Sequence, residues 1–236
     1  MPVARNVKSL NYVCIVIPKV IESSAACNVP RAINPSFASG YFNLGLLYFD
    51  QREFTKAIDS YEKAIQINPK YFEAHNNLGT TLQFFGKMNL AVKSYKKAIK
   101  IQPSFLDAQI NLGVALTELG KLSEAKSCLR KAISIDSNSA MAHNGLGNVL
   151  KDQGNFEEAE FCFKQAINLN PDFSVAHQNL GIILYANGKL DDSLDSLQKA
   201  YSIEPNSKLL ISVLSAKRSL NKSNQANTPN ILASDR

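Results

Sequence analysis

Few side chains in this sequence combine the chemistry of acids, bases, nucleophiles or metal ligands with a useful spacing. His75, His143 and His177 stand at multiples of 34 residues from one another. Imidazoles hold a metal or relay a proton only where they converge. Here Gln109 takes the same register between them, and packed helices lie roughly 8–10 Å apart. The three are read as helix-packing residues. Cys14, Cys27, Cys128 and Cys162 include no Cys-x-x-Cys pair. Cys128 and Cys162 share a register with Ser60, Ser94 and Ser196, a place for a small side chain, and neither has an adjacent basic residue to make it a nucleophile. No Gly-x-Ser-x-Gly, Walker loop, His-Glu-x-x-His or dinucleotide fingerprint occurs. The chain therefore reads as a non-enzyme with no cofactor and no metal. What remains is amide chemistry. Asn43, Asn77, Asn111 and Asn179 recur in one register, with Gly145 there in the fourth copy and Asn144 one place earlier. A side-chain amide both donates and accepts, which matches a peptide group of any sequence. Four asparagines inside helices cost about 2 kcal/mol in total relative to alanine. Contact with a ligand backbone offsets that cost on one reading; on the other the amides bond within the scaffold, or were carried along by duplication.

The elements that position these residues follow from a strict repeat. Leu-Gly recurs as Leu44-Gly45, Leu78-Gly79, Leu112-Gly113, Leu146-Gly147 and Leu180-Gly181, each pair 34 residues after the last. Twelve positions after each Gly stands a small residue: Ala57, Ala91, Ala125, Ala159 or Ser193. Four later comes a bulky one, Tyr61, Tyr95, Leu129, Phe163 or Leu197, and then Ala64, Ala98, Ala132, Ala166 or Ala200. Pro69, Pro103, Pro171 and Pro205 close four copies and Ser137 the third. Apolar residues three and four apart predict two helices per copy, Tyr41–Phe49 and Phe54–Ile67 in the first. Gly86, Gly120, Gly154 and Gly188 fall between the paired helices, where a residue free to take positive φ ends the first one. A single pair cannot bury its apolar faces; five in series form a continuous core.

This pattern resembles the tetratricopeptide repeat (TPR) family over residues 38–207, as repeats 38–71, 72–105, 106–139, 140–173 and 174–207. The family's usual Trp is replaced by Tyr41, His75, Gln109, His143 and His177. HNNLG at 75–79 and HQNLG at 177–181 look most like the repeats of O-GlcNAc transferases. The resemblance implies an all-α fold, a right-handed α-solenoid of helix-turn-helix repeats. It also implies that the residue before Leu-Gly lies on the concave face. The expected function is a protein–protein interaction scaffold that binds an extended peptide or a partner helix in the concave groove. A second reading makes it the non-catalytic, substrate-recruiting region of a larger enzyme such as a glycosyltransferase. The expected peptide-binding residues are Asn43, Asn77, Asn111, Asn144 and Asn179, with Thr80, Asn148 and Lys151 beside them. Gln83, Thr117, Tyr185, Phe42, Leu46, Val114 and Ile182 complete the inferred groove. Members of the family that clamp a C-terminal carboxylate use Lys and Arg where this chain has Phe42, Leu46, Asn77, Asp107 and Asn111, so that chemistry is excluded here.

Composition limits the partners. The net charge is +6. It divides into +3 over residues 1–37, +4 over 208–236 and −1 between them, so phosphate binding has no concentrated basic surface on the repeats. Lys87, Lys93, Lys96, Lys97 and Lys100 make repeat two basic, which reads as a solvated face. No apolar run reaches the 18 residues of a membrane span; the longest, Leu10 to Ile17, ends at Pro18. The partners expected are proteins or peptides, not nucleic acid or membrane, with the oligomeric state open. A cytoplasmic location is expected; a secreted or lipoprotein-like start ending at Cys27 is the alternative, with Pro18, Lys19 and Glu22 interrupting its apolar stretch. Residues 1–37 read as an atypical segment holding the end of a degraded repeat at Ile33-Asn34-Pro35. In 208–221, Leu210, Val213, Leu214 and Lys217 form the stripe of a helix capping repeat five, and 222–236 reads as a disordered tail.

Overall fold

The computed structural model describes residues 35–227, all of whose regular elements are α-helices. They are α1 (Pro35–Asp50), α2 (Phe54–Ile67), α3 (Phe72–Phe84), α4 (Met88–Ile101), α5 (Leu106–Glu118), α6 (Leu122–Ile135), α7 (Ala140–Asp152), α8 (Phe156–Leu169), α9 (Ser174–Ala186), α10 (Leu190–Ile203) and α11 (Ser207–Asn227). The expectations for residues 1–30 and for the end of the tail lie outside the described residues. The chain divides into two compact units, one ending at Ala115 and one beginning at Leu116, with the boundary inside α5. Each is a run of helix pairs of the TPR kind, so the fold class is the all-α repeat solenoid.

Within each unit the packing rule is one glycine against one large side chain. A Cβ placed on Gly45 would lie 2.5 Å from the Tyr61 ring, one on Gly79 2.6 Å from Tyr95, and one on Gly147 2.5 Å from Phe163. At such distances neither ring nor helix can stay in place, so hydrogen is the only tolerated side chain. Tyr61, Tyr95 and Phe163 are 1% exposed or less, and the alanines one turn to either side, Ala57, Ala64, Ala91, Ala98, Ala159 and Ala166, are fully buried. Burying a ring of this size stabilises by roughly 1.5–3 kcal/mol. The pattern thus brings paired helices together at the small positions and fills the gap alongside with the large one.

The turns follow from backbone chemistry. Gly86, Gly120, Gly154 and Gly188 have φ of 79°, 71°, 80° and 75°. The residue after each donates back across the helix end, Lys87 N–H to Leu82 O at 2.8 Å and Asn155 N–H to Leu150 O at 2.9 Å, which satisfies carbonyls the helix leaves open. In the first repeat Arg52 takes this conformation at φ 61°, unlike the four glycines. Except in the third repeat, second helices end just before proline, and the N–H of Lys70 and of Asp172 donates to the side-chain oxygen of Asn68 and of Asn170.

Both ends of the described chain depart from expectation. Helix α1 begins at Pro35, not near Tyr41. Proline is favoured in a helix's first turn, where its missing N–H has no partner to lose. Helix α11 continues to Asn227, past the expected boundary at 221. The sequence offers no proline to stop it before Pro229. Its packing stripe also differs: Leu209 and Ala216 are buried, whereas Leu210 and Leu214 are 40% and 56% exposed. The connection from Pro205 is one residue shorter than the one after Pro171, and this turns the helix by one position.

Candidate functional site

The recurrent histidines hold the connections. His75 Nε2 lies 3.1 Å from Pro69 O, His143 Nε2 3.0 Å from Ser137 O, and His177 Nε2 3.0 Å from Pro171 O. In each case the ring N–H donates to a carbonyl six residues back, in the preceding turn. Gln109 does the same from its side-chain nitrogen to Pro103 O at 3.4 Å. The register therefore wants a planar donor of a certain reach, and glutamine substitutes for histidine without loss of the bond. His75 is buried, and its Nδ1 has no hydrogen-bond partner among the described residues. Burial holds its pKa below the usual imidazole value; the bond to Pro69 opposes this and Lys97 adds to it. Cys162 is buried, and desolvation pushes its thiol up, away from the reactive thiolate. The described residues contain no group of three or more His, Cys, Asp or Glu able to hold a metal, and no described helix is long and apolar enough to cross a membrane.

The amides are organised by a second register that the spacing of Leu-Gly hides. In the first unit Asn111 Nδ2 donates to Asn76 Oδ1 at 3.0 Å. In the second, Asn179 Nδ2 donates to Asn144 Oδ1, also at 3.0 Å. Each bond runs from a residue before Leu-Gly to the residue two before Leu-Gly in the preceding repeat. Asn76 and Asn144 are 5% and 8% exposed, whereas Asn111 and Asn179 are half-buried. Asn144, expected as a ligand contact, thus uses its oxygen on the scaffold. Asn76 further donates to Asn77 Oδ1 at 3.3 Å, so three amides of the first unit are linked. At position 145, where the fourth copy lacks Asn, a Cβ would lie 2.7 Å from Leu129 Cδ2.

Beside these amides, Thr80 and Asn148 are half-buried. Thr80 Oγ1 donates to Asn76 O at 3.3 Å, and Tyr95 reaches it with its hydroxyl at 3.2 Å. The same hydroxyl donates to Gln83 Oε1 at 3.0 Å. In the second unit Lys151 Nζ donates to Asn148 Oδ1 at 3.4 Å and lies 3.7 Å from Asp152. Asn43 is half-buried beside Phe42, whose ring centroid is 5.0 Å from that of Tyr71. The structure therefore keeps Asn43, Asn77, Asn111 and Thr80 within the first unit, and Asn148, Lys151 and Asn179 within the second. Asn76 and the Tyr95 hydroxyl were not among the sequence candidates. The signal for Asn76 was its recurrence as Asn144 two repeats on.

Comparisons with known proteins agree with this architecture. Residues 22–233 match the sequence model of a family described as the cilia and flagella-associated protein 70 C-terminal domain. Among solved structures, MamA is 27% identical, with 68% of this chain and 94% of that one covered and a TM-score of 0.59. TTC0263, a thermophilic TPR protein of Thermus thermophilus, is 26% identical over 77% of this chain and 99% of that one, TM-score 0.66. YrrB, described as a TPR protein with an unusual peptide-binding site, is 23% identical over 86% of this chain and 98% of that one, TM-score 0.61, a likeness of fold alone. No curated protein sequence matches the chain. The finer likeness to O-GlcNAc transferase repeats rests on the HNNLG and HQNLG residues only.

Proposed function

The chain belongs to the cilia and flagella-associated protein 70 C-terminal domain family of tetratricopeptide repeats, and on that premise we propose that it is a non-catalytic scaffold that holds an extended segment of a partner protein by its backbone. The contacts assigned are Asn43, Asn77, Asn111 and Thr80 in the first unit, and Asn148, Lys151 and Asn179 in the second. One observation carries the reading. The bonds from Asn111 to Asn76 and from Asn179 to Asn144, each 3.0 Å long, fix the amide planes of half-buried side chains while using one N–H of each. A fixed amide keeps an acceptor oxygen and a second N–H, and it loses less rotamer entropy when a ligand docks. That offsets the helix propensity given up by placing asparagine there.

The test is replacement of Asn43, Asn77, Asn111 and Asn179 by alanine together, measured against peptides selected on the unmodified protein from a random library. Helicity by circular dichroism should hold or rise. At roughly 0.5–1.5 kcal/mol per hydrogen bond, four lost bonds weaken binding by about 2–6 kcal/mol, more than tenfold. The loss should be similar for peptides of different sequence, because the contact is to backbone. Unchanged affinity in a folded quadruple variant would remove the assignment.

A further inference from the structure

Helix α11 stands where a sixth repeat would place its first helix, yet it differs there in two ways that bear on each other. Its entry from Pro205 is one residue shorter than the entry to α9 from Pro171, with Asn206 Oδ1 accepting from the Leu209 N–H at 2.9 Å. Aligned on that start, buried Leu209 matches buried Ala176, and buried Ala216 matches buried Ile183. Leu214 then falls on Gly181. A Cβ on Gly181 would lie 2.7 Å from Leu197 Cγ and 3.2 Å from Ser193 O. A leucine in this place keeps a second helix from closing as α10 closes on α9. The face that α10 covers on α9 in the preceding repeat is here left open, with Leu210 40%, Ile211 64% and Leu214 56% exposed.

Charge states what this face suits. Helix α11 contains no acidic residue, and Lys208, Lys217, Arg218 and Lys222 give it four positive charges. The stripe through Leu210 and Leu214 continues into Lys217 and Arg218. At about 1.5 Å per residue the charges lie about 10 Å beyond Leu210. A second copy of α11 would bring like charges together. A bilayer-bound helix presents apolar residues along its whole length; here they cover little more than one turn. The second helices of this unit begin with acids, Glu157 and Glu158 on α8 and Asp191 and Asp192 on α10.

We propose that the outward face of α11, Leu210, Ile211 and Leu214 leading into Lys217 and Arg218, docks an acidic amphipathic helix of a partner protein. Its apolar turn packs on the leucines through small residues opposite Leu214, and its carboxylates meet Lys217 and Arg218 about one turn beyond Leu214. This surface is separate from the amide contacts and does not depend on them.

The experiment uses the full chain and a fluorescent synthetic helix of about 20 residues. Leu and Ala occupy one face for two turns, and Glu follows; a matched peptide carries Lys for every Glu. Fluorescence anisotropy should show the Glu peptide binding at least about tenfold tighter than the Lys peptide. The double variant Lys217→Glu/Arg218→Glu should reverse that order. Leu214→Asp should abolish binding of both, with helicity unchanged because the side chain is exposed. Equal binding of the two peptides, or an order unmoved by the charge reversal, overturns the proposal. So does binding to phosphatidylcholine–phosphatidylserine vesicles, or self-association in sedimentation velocity, if Leu214→Asp abolishes it while the Glu peptide fails to bind.

Discussion

Tyr95 in the first unit and Phe163 in the second occupy the same place, each buried against a glycine of its partner helix, and they differ by one oxygen atom. In the first unit that oxygen ties Gln83 and Thr80 to the core, at 3.0 and 3.2 Å. The equivalent residues of the second unit, Lys151 and Asn148, stand over a ring with no hydroxyl and bond each other at 3.4 Å. Identical backbone register thus supports two kinds of wall. The first is neutral and anchored from below. The second carries a cation, Lys151, whose bonds run to Asn148 and Asp152 and not to the ring beneath. How the outer residues of such a repeat are held is thus set by what lies one layer beneath them.

The largest test removes the layer itself. Phe163→Ala should cost about 3–5 kcal/mol, since it takes a fully buried ring away from Gly147 and leaves a cavity. Chemical denaturation followed by circular dichroism reads the loss. Tyr95→Ala should cost at least as much, because it also strips Gln83 of a donor. A much smaller loss in one unit than in the other would show that the shared register hides different packing.

Smaller effects are expected from the acceptors of the amide pairs. Asn76→Ala and Asn144→Ala each leave an amide of the next repeat without its buried partner and should cost about 1–2 kcal/mol. Asn43→Ala, at a half-buried position, should be neutral or slightly stabilising because alanine is the better helix former, by up to about 0.7 kcal/mol. Equal effects at all three positions would mean that the two pairs contribute nothing.

These pairs also mark where reading the sequence stops being sufficient. The 34-residue recurrence of Leu-Gly and of Tyr61, Tyr95, Leu129, Phe163 and Leu197 shows a helix pair per copy and gives α2 its bounds, Phe54–Ile67, because a glycine packed against a large side chain leaves one geometry. It also shows the amides of Asn43, Asn77, Asn111 and Asn179 as a set. It does not show their bonding, which crosses registers: the partner of Asn111 is Asn76, not Asn77. Nor does it reveal that Leu209 and not Leu210 faces inward on α11, since one residue lost after Pro205 rotates every later side chain by about 100°. Periodicity locates elements; a single deletion or a diagonal hydrogen bond decides which side chain does what.

Exchanging the oxygen tests the comparison directly. Tyr95→Phe should cost about 1 kcal/mol, the net worth of a buried hydrogen bond, with no change in helix content. Phe163→Tyr should be close to neutral, as its hydroxyl would emerge beside Asn148 and Lys151. If Phe163→Tyr also lowers the binding of a peptide that depends on Lys151, the lack of a bond from that cation to the ring beneath is part of recognition. If it strengthens binding, anchoring is what the second wall lacks.

The smallest effect concerns protons. His75 donates from Nε2 to Pro69 and keeps Nδ1 buried and bare, so protonation would place a charged N–H with no acceptor in the first unit's interior. Burial, the larger influence, lowers its folded-state pKa below the usual value of about 6.5. The unfolded chain then binds the proton more readily than the folded one. Stability is complete above about pH 6.5 and falls as the pH drops below that value toward the folded-state pKa. Melting temperature measured between neutral and mildly acidic pH should decline, and His75→Gln should flatten part of that decline. Glutamine is the right replacement because Gln109 already makes the equivalent bond to Pro103, so the variant keeps the connection and removes only the titration. A decline just as steep in His75→Gln would assign the pH dependence to other groups and leave His75 as a purely geometric element of the turn.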